Sequence, residues 1–385
     1  MPTPEHEPRT DGRPLHEGED RLEALRREVR SLDAKIVRAI VRRMRVAEEI
    51  GHIKRVARIP LRDFEVEAHV RERLRVLASA AGVEESLGSD LALFLIRKAI
   101  EIQSPIVDAV YDGDRLRVLV VGGAGGMGRW IGRFLNSQGH RVEIHDTAPG
   151  GFPFPRVADL GRGLVESDLV FVAVPMSSCA PVLLDIASRC GASPPTVVEI
   201  CSLKSHLAPA LDEVAARGLR VVSLHPMFGP DVRMLSDRRI VLCRRGDPES
   251  EARVRRLFEG TSARIVEVDF EDHDRFMALV LGMSHLANLA FGDALARSGI
   301  SVDDLDAVAG VTFLRQVATT REVVSENPAL YWEIQALNPA TREMADRLVE
   351  SLRSLLASVE SGSPDRFERI LRDARDWFSG RRTRT

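Results

Sequence analysis

From Leu22 onward apolar residues return at steps of three and four: Leu22, Leu25, Val29, Leu32, Ile36, Ile40, Met44, Ala47, Ile50 and Ile53. That spacing keeps one apolar stripe along a helix. The helix has roughly 35 residues and is about 50 Å long at 1.5 Å per residue. So long a helix cannot bury its stripe alone and needs shorter helices and a second chain. "FEVEAHVRERLRVLASAAG" and "LGSDLALFLIRKAIEIQSPIV" supply two further helical patterns, set apart by "IPLRD" and "VEES". The pattern then changes. Short apolar runs, "VLVV", "RVEIHD", "DLVFVAVP" and "TVVEIC", alternate with helical stretches, as in a parallel sheet covered on both faces. From about residue 270 the periodicity is helical to near the end of the chain. The expected architecture is multidomain. An all-α unit spans 20–107, followed by a linker at 108–116, an α/β domain at 117–270 and an all-α domain at 271–380.

The first apolar run leads into a glycine elbow, "VLVVGGAGGMG", in which Gly123, Gly125 and Gly128 fit G-x-G-x-x-G between a strand and a helix. In that motif the first glycine permits the tight turn, the second admits a pyrophosphate, and the third lets helix and strand pack closely. Gly126 and Met127 open the helix, whose free N–H groups and dipole favour an anion. Asp146 ends the next strand, 23 residues past Gly123, where a carboxylate accepts from ribose hydroxyls and repels a 2′-phosphate. The α/β domain is therefore expected to be a Rossmann unit holding NAD rather than NADP.

Composition narrows the partners. The 385 residues carry a net charge of -3, which gives no overall basic field for nucleic acid. Cys179, Cys190, Cys201 and Cys243 show no metal spacing and read as reduced thiols of a cytoplasmic protein. No metal is expected. Residues 1–19 are rich in Pro, Glu, Arg and Gly and lack an apolar core, so they read as a disordered tail and not as a signal peptide or membrane span.

Two positions invite chemistry. Arg43 and Lys54, 11 residues apart, fall within about 20° of one helix face and bracket Ala47 and Ile50. They could serve a small dianion, or snorkel to solvent with their stems over the helix interface. His225, in "VVSLHPMFGPD", follows an apolar run and would lie in the crevice at the carboxyl ends of the strands, although a loop histidine can be incidental.

"LEALRREVRSLDAKIVRAIVRRMRVAEEIGHIKRVARIPLRD" resembles the all-helical chorismate mutase family over about residues 20–105. The resemblance implies an intertwined homodimer. Arg26 would reach a carboxylate in the partner's site and Arg43 a carboxylate in its own. Lys54 and Gln103 would donate to the ether oxygen, while Asp63 and Glu67 would orient the ring hydroxyl and nearby groups. A pericyclic rearrangement needs only a compact conformer and donors aimed at developing charge. Val66 departs from the family, which often has an arginine there; Arg62 is a possible replacement.

"HPMFGPD", "HDRFMALVLGMSH" and "TTREVVSENPALYWEI" resemble the prephenate dehydrogenase family, and the likeness runs over about residues 117–380. It implies that His225 accepts from the substrate's ring hydroxyl as hydride leaves for NAD, a task suited to a group titrating near neutrality. It also implies that Arg321, or Arg315, clamps a carboxylate. Ser202 and Lys204 would lie on a substrate-side loop, with His285 at the substrate or nicotinamide face. His273 stays open between a structural and a site role.

Together these readings give a bifunctional enzyme of tyrosine biosynthesis that converts chorismate to prephenate and oxidatively decarboxylates prephenate with NAD. Two rivals stand beside it. In one the helical unit is only a dimeriser or effector sensor; in the other the dehydrogenase acts on arogenate or an unrelated 3-hydroxy acid.

Overall fold

The computed structural model describes residues 14–56, 64–103, 113–149, 153–232, 235, 238–259, 261 and 263–380. The chain divides near residue 110 into two compact units. The first holds α1 (Pro14–Val56), α2 (Phe64–Ala80) and α3 (Glu85–Gln103). At 43 residues α1 exceeds the expected length. It takes in residues 14–19, which the sequence reading had placed in a disordered tail. Proline at position 14 suits a first helical turn.

Gly88 sets the approach of α3 to α2, since a Cβ there would lie 2.3 Å from the Leu74 carbonyl oxygen. Ala47, Ala78, Ala92 and Leu95 are buried among these helices. The stripe on α1 remains largely uncovered, with Ile36 56% and Ile53 62% exposed.

The second unit is built on a seven-stranded sheet in the order β2-β1-β3-β4-β5-β6-β7. The strands are β1 (Arg117–Val121), β2 (Arg141–His145), β3 (Leu169–Val172), β4 (Thr196–Glu199), β5 (Val221–Pro226), β6 (Arg239–Arg244) and β7 (Arg264–Asp269). All neighbours are parallel except β5 and β6. Most residues of β1, β3 and β4 are buried, as expected of strands covered by helices on both faces. The covering helices are α4 (Gly126–Ser137), α5 (Leu160–Val165), α6 (Met176–Arg189), α7 (Ala208–Ala216) and α8 (Pro248–Glu259). Successive connections from β1 lead to its two opposite sides, first β2 and then β3, so a switch point lies at the carboxyl ends of β1 and β3.

After β7 the chain is helical: α9 (Phe270–Met277), a π turn (Ala278–Met283), α10 (Ser284–Ala296), α11 (Val302–Ala307), α12 (Val311–Val324), α13 (Pro328–Ala336), α14 (Thr341–Glu360) and α15 (Pro364–Phe378). The stretch Phe270–Ala296 is, by length and composition alone, apolar enough to cross a membrane. The π turn changes its phase. Twelve residues of α-helix would leave His273 and His285 about 120° apart. A π turn advances roughly 80° per residue, so six such residues remove about 120° and turn the two histidines toward one face.

Candidate active sites

The glycine elbow makes a cradle at the switch point. The left-handed residue of the turn is Gly122, with φ +81°, where a Cβ would lie 2.4 Å from the Ala173 carbonyl oxygen. This corrects the expectation that Gly123 supplies the turn. Gly123 is instead required by packing, because a Cβ there would meet the Ile144 Cβ at 2.6 Å. Gly128 lets α4 press on the loop, with a hypothetical Cβ 2.1 Å from the Gly122 oxygen. Gly125 and Gly126 lie exposed at the start of α4, and no side chain among the described residues caps that end. The first-turn N–H groups, those of Gly126 and Met127 included, have no partner within the helix.

Asp146 follows β2 and accepts at Oδ2 from the Ala124 N–H and at Oδ1 from the Ala148 N–H, each at 2.8 Å. It therefore fixes the loop, and each oxygen keeps a second lone pair for a hydroxyl. An open helix N-terminus, a cradle that any Cβ would fill and a carboxylate at the end of β2 fit a dinucleotide.

His225 is buried near the carboxyl end of β5. The segment after it is anchored: Phe228 meets Trp130 edge-on at 4.9 Å, and the Trp130 Nε1–H donates to the Val232 carbonyl at 2.7 Å. His225 Nδ1 lies 3.1 Å from His273 Nε2, and His273 Nδ1 lies 2.8 Å from Asp274 Oδ1. Asp274 also accepts from the backbone N–H of Lys204 at 2.8 Å and of Ser205 at 2.7 Å. Burial would raise this carboxyl, but the bonds from His273, Ser205 and Lys204 prevail and bring its pKa down to about 2. Burial, with the Lys204 ammonium and His273 nearby, holds His225 well below the usual histidine range. His273 is also lowered, by burial first. His273 thus belongs to this cluster, and Asp274 is a participant that the sequence reading missed. Its adjacency to His273 in "HDR" is the only signal the chain offers.

Lys204 is not a substrate-facing group, contrary to expectation. Its fully buried ammonium donates to Glu199 Oε1 at 2.6 Å and to the Leu224 carbonyl at 2.7 Å. Glu199 ends an apolar strand where a bare carboxylate has no solvent, so the lysine is drawn inward to pair it. Ser202, two residues earlier on the loop after β4, is half-buried. His285 stacks on Tyr331 with ring centroids 4.1 Å apart; its Nδ1 is buried without a hydrogen-bond partner among the described residues, and burial lowers its pKa. Arg321 and Arg315 are both exposed on α12, and Arg321 Nη2 lies 3.8 Å from Asp306. Six helical residues put the two arginines about 120° apart, so only one can face a given pocket.

In the helical unit, Arg43 is half-buried and its Nη1 donates to the Leu95 carbonyl at 3.1 Å. Burial and the neighbouring Arg73 lower its pKa. Arg26 is exposed beside Glu23, 3.8 Å away. Lys54 is half-buried on the last turn of α1, and Val66 is exposed on α2. Glu67 and Gln103 fall within α2 and α3, but their side chains are outside the described set; Arg62 and Asp63 lie outside the described residues.

Comparison with known proteins agrees with this division. The chorismate mutase type II family matches residues 25–104. The nucleotide-binding domain of prephenate dehydrogenase matches residues 146–267, and its dimerization domain residues 269–373. The T-protein of Enterobacter agglomerans is 25% identical over 362 residues, covering 93% of each chain. The 4-amino-4-deoxyprephenate dehydrogenase of Streptomyces pristinaespiralis is 30% identical over 274 residues, 67% of this chain and 90% of that one. A crystal structure of prephenate dehydrogenase from Aquifex aeolicus, in complex with hydroxyphenyl propionate and NAD+, shares the fold with a TM-score of 0.58 at 17% identity, over 70% of this chain and 100% of that chain.

Proposed function

The chain belongs to the chorismate mutase type II family in its first unit and to the prephenate dehydrogenase family in its second, and from that premise we propose how its residues divide two consecutive reactions. The enzyme is bifunctional in tyrosine biosynthesis: it rearranges chorismate to prephenate and then, with NAD, oxidatively decarboxylates prephenate to 4-hydroxyphenylpyruvate.

In the first reaction Arg43, and Arg26 from a second copy, hold the two carboxylates of chorismate. Lys54 and Gln103 donate to the ether oxygen as the C–O bond breaks, and Asp63 and Glu67 orient the ring. Electrostatic donors aimed at charge that develops only in the transition state suffice for such a step. Arg26 stands exposed on the single chain, which suits a group that completes a site across a homodimer. The uncovered stripe of α1 supplies the apolar face for that dimer.

In the second reaction Gly125, Gly126, Met127 and Gly128 receive the pyrophosphate of NAD, and Asp146 receives the adenosine ribose. NAD, when bound, takes up hydride from the ring carbon that bears the hydroxyl. His225 accepts the hydrogen bond, and then the proton, of that hydroxyl as the carbonyl forms. Loss of the ring carboxylate as carbon dioxide restores aromaticity. Ser202 and His285 contact the substrate, and Arg321, with Arg315 as the alternative on the same helix, pairs the remaining carboxylate. The protein works in the cytoplasm, where its four free cysteines remain thiols.

The observation that carries this reading is a buried His225, held below the ordinary histidine range by its surroundings, near the carboxyl end of a strand in the sheet that also carries the glycine cradle. Two variants of the full chain test it. His225→Asn should abolish prephenate oxidation and spare chorismate rearrangement; Arg43→Ala should do the reverse. Loss of both activities in either variant would contradict two separate sites.

A further inference from the structure

The cluster behind His225 has a direction. Asp274 receives two backbone N–H bonds from the loop after β4, and its Oδ1 also faces His273 Nδ1. An ionised carboxylate has no proton to give, so the hydrogen between Asp274 and His273 belongs to His273 Nδ1. In a neutral His273 the other nitrogen, Nε2, is then an acceptor, and the atom 3.1 Å from it, His225 Nδ1, must be the donor. In a neutral His225 this leaves Nε2 with its lone pair. No protein group among the described residues bonds to that atom.

We propose that Asp274 and His273 are positioning residues that fix the tautomer of His225, so that Nε2 is presented as a hydrogen-bond acceptor to the substrate hydroxyl. The chain starts at the Lys204 and Ser205 amides, which no substitution can remove. It ends at the base; Lys204, Asp274, His273 and His225 are buried and Ser205 is half-buried. Lys204 serves twice. Its amide holds Asp274, and its ammonium bonds the carbonyl of Leu224, the residue before His225, on the side from which positive charge discourages a proton on the ring.

The geometry makes Asp274→Asn an informative change. An amide has one acceptor and one donor end, whereas both Asp274 oxygens face N–H groups. If the amide oxygen stays with Ser205, the NH2 takes the place of Oδ1, gives up the bond from the Lys204 N–H and turns to His273 Nδ1. His273 then donates from Nε2, His225 accepts at Nδ1, and His225 Nε2 carries the hydrogen. The base becomes a donor in the wrong direction. Breaking an analogous tautomer lock in a serine protease lowers turnover by about 10⁴.

The proposal rests on the dehydrogenase reading, and its test separates the two. The first measurement is of tautomer: 15N spectra of the histidine-labelled full-length protein, with His225→Asn used for assignment. They should show His225 Nδ1 protonated and Nε2 bare at neutral pH. The second is kinetic. Asp274→Asn should lower kcat for prephenate at least a hundredfold, with KM for prephenate and for NAD within a few-fold and mutase activity unchanged. His273→Asn should lose turnover in the same way, while a merely structural role would raise KM or unfold the domain. Wild-type spectra with hydrogen on His225 Nε2, or an Asp274→Asn enzyme whose spectra show the His225 tautomer reversed while kcat stays near normal, would overturn the proposal. A wild-type protein that shows the expected tautomer but oxidises no prephenate would instead overturn the assigned reaction.

Discussion

Glu333 on α13 accepts from the Met176 N–H at 3.1 Å and from the Ser177 N–H at 3.3 Å, and so caps α6 from 157 residues further along the chain. The Ser177 hydroxyl also donates to it. No side chain within α6 performs this task, because Pro175 occupies the cap position. The contact ties the C-terminal helices to the sheet beside the switch point. Glu333→Ala should therefore destabilise the second unit by about 1–2 kcal/mol, as for loss of a capping group at a helix N-terminus. Urea denaturation followed by circular dichroism checks this, and an unchanged midpoint would show that the cap contributes nothing.

The glycine cradle makes a sharper demand. At Gly128 a Cβ would sit 2.1 Å from backbone oxygen and 2.8 Å from the carbonyl carbon of Gly122, atoms that no rotamer change can move aside. Gly128→Ala should abolish NAD binding in a fluorescence titration while leaving chorismate turnover intact. Equal damage to both activities would mean that the change unfolds more than the cradle.

The Lys204–Glu199 pair is wholly buried. Lys204→Met should cost about 3–5 kcal/mol because it strands a carboxylate. Combining it with Glu199→Gln should recover a substantial part in chemical denaturation. A double variant as unstable as the single one would place the cost in lost packing rather than in stranded charge.

Acid should weaken the fold. His140, His225, His273 and His285 all have lowered pKa values, burial being the leading cause of each. Below about pH 6.5 their unfolded counterparts take up protons and the folded ones do not, so stability falls as pH falls through that range. His206 is raised, against its own burial, by Cys201, the Met176 carbonyl and Glu199, and opposes the trend as one group against four. Around His225 the facing groups are Lys204, His273 and Asp274. The acid limb of kcat/KM for prephenate should accordingly lie below the ordinary histidine range. A fall in activity centred at or above pH 6.5 would contradict a base kept neutral by its surroundings.

Much of this architecture is written locally in the chain. The three-and-four spacing on α1, the glycine elbow and the apolar strands each depend on near neighbours, so periodicity and turn chemistry expose them. His225 was legible for the same reason, lying on a strand beside a distinctive loop. What escaped depends on distant partners. Asp274 gains its role by meeting amides 69 and 70 residues away. Lys204 was misread because its target, Glu199, lies inside an apolar strand, although a carboxylate in "TVVEIC" does signal the need for a buried cation. The turn fell to Gly122 rather than Gly123 because the decisive contacts, Ala173 and Ile144, come from other strands. The π turn between His273 and His285 leaves no mark in hydrophobic spacing.

The most direct test of two linked activities on one chain is NADH formation from chorismate and NAD by the intact protein, set beside a His225→Asn variant. The account predicts that the intact protein produces NADH without added prephenate, and that the variant converts chorismate but stops at prephenate. Oxidation of supplied prephenate with no conversion of chorismate would contradict it. The helical unit would then be a dimeriser or sensor, with Val66 the first residue to restore to arginine.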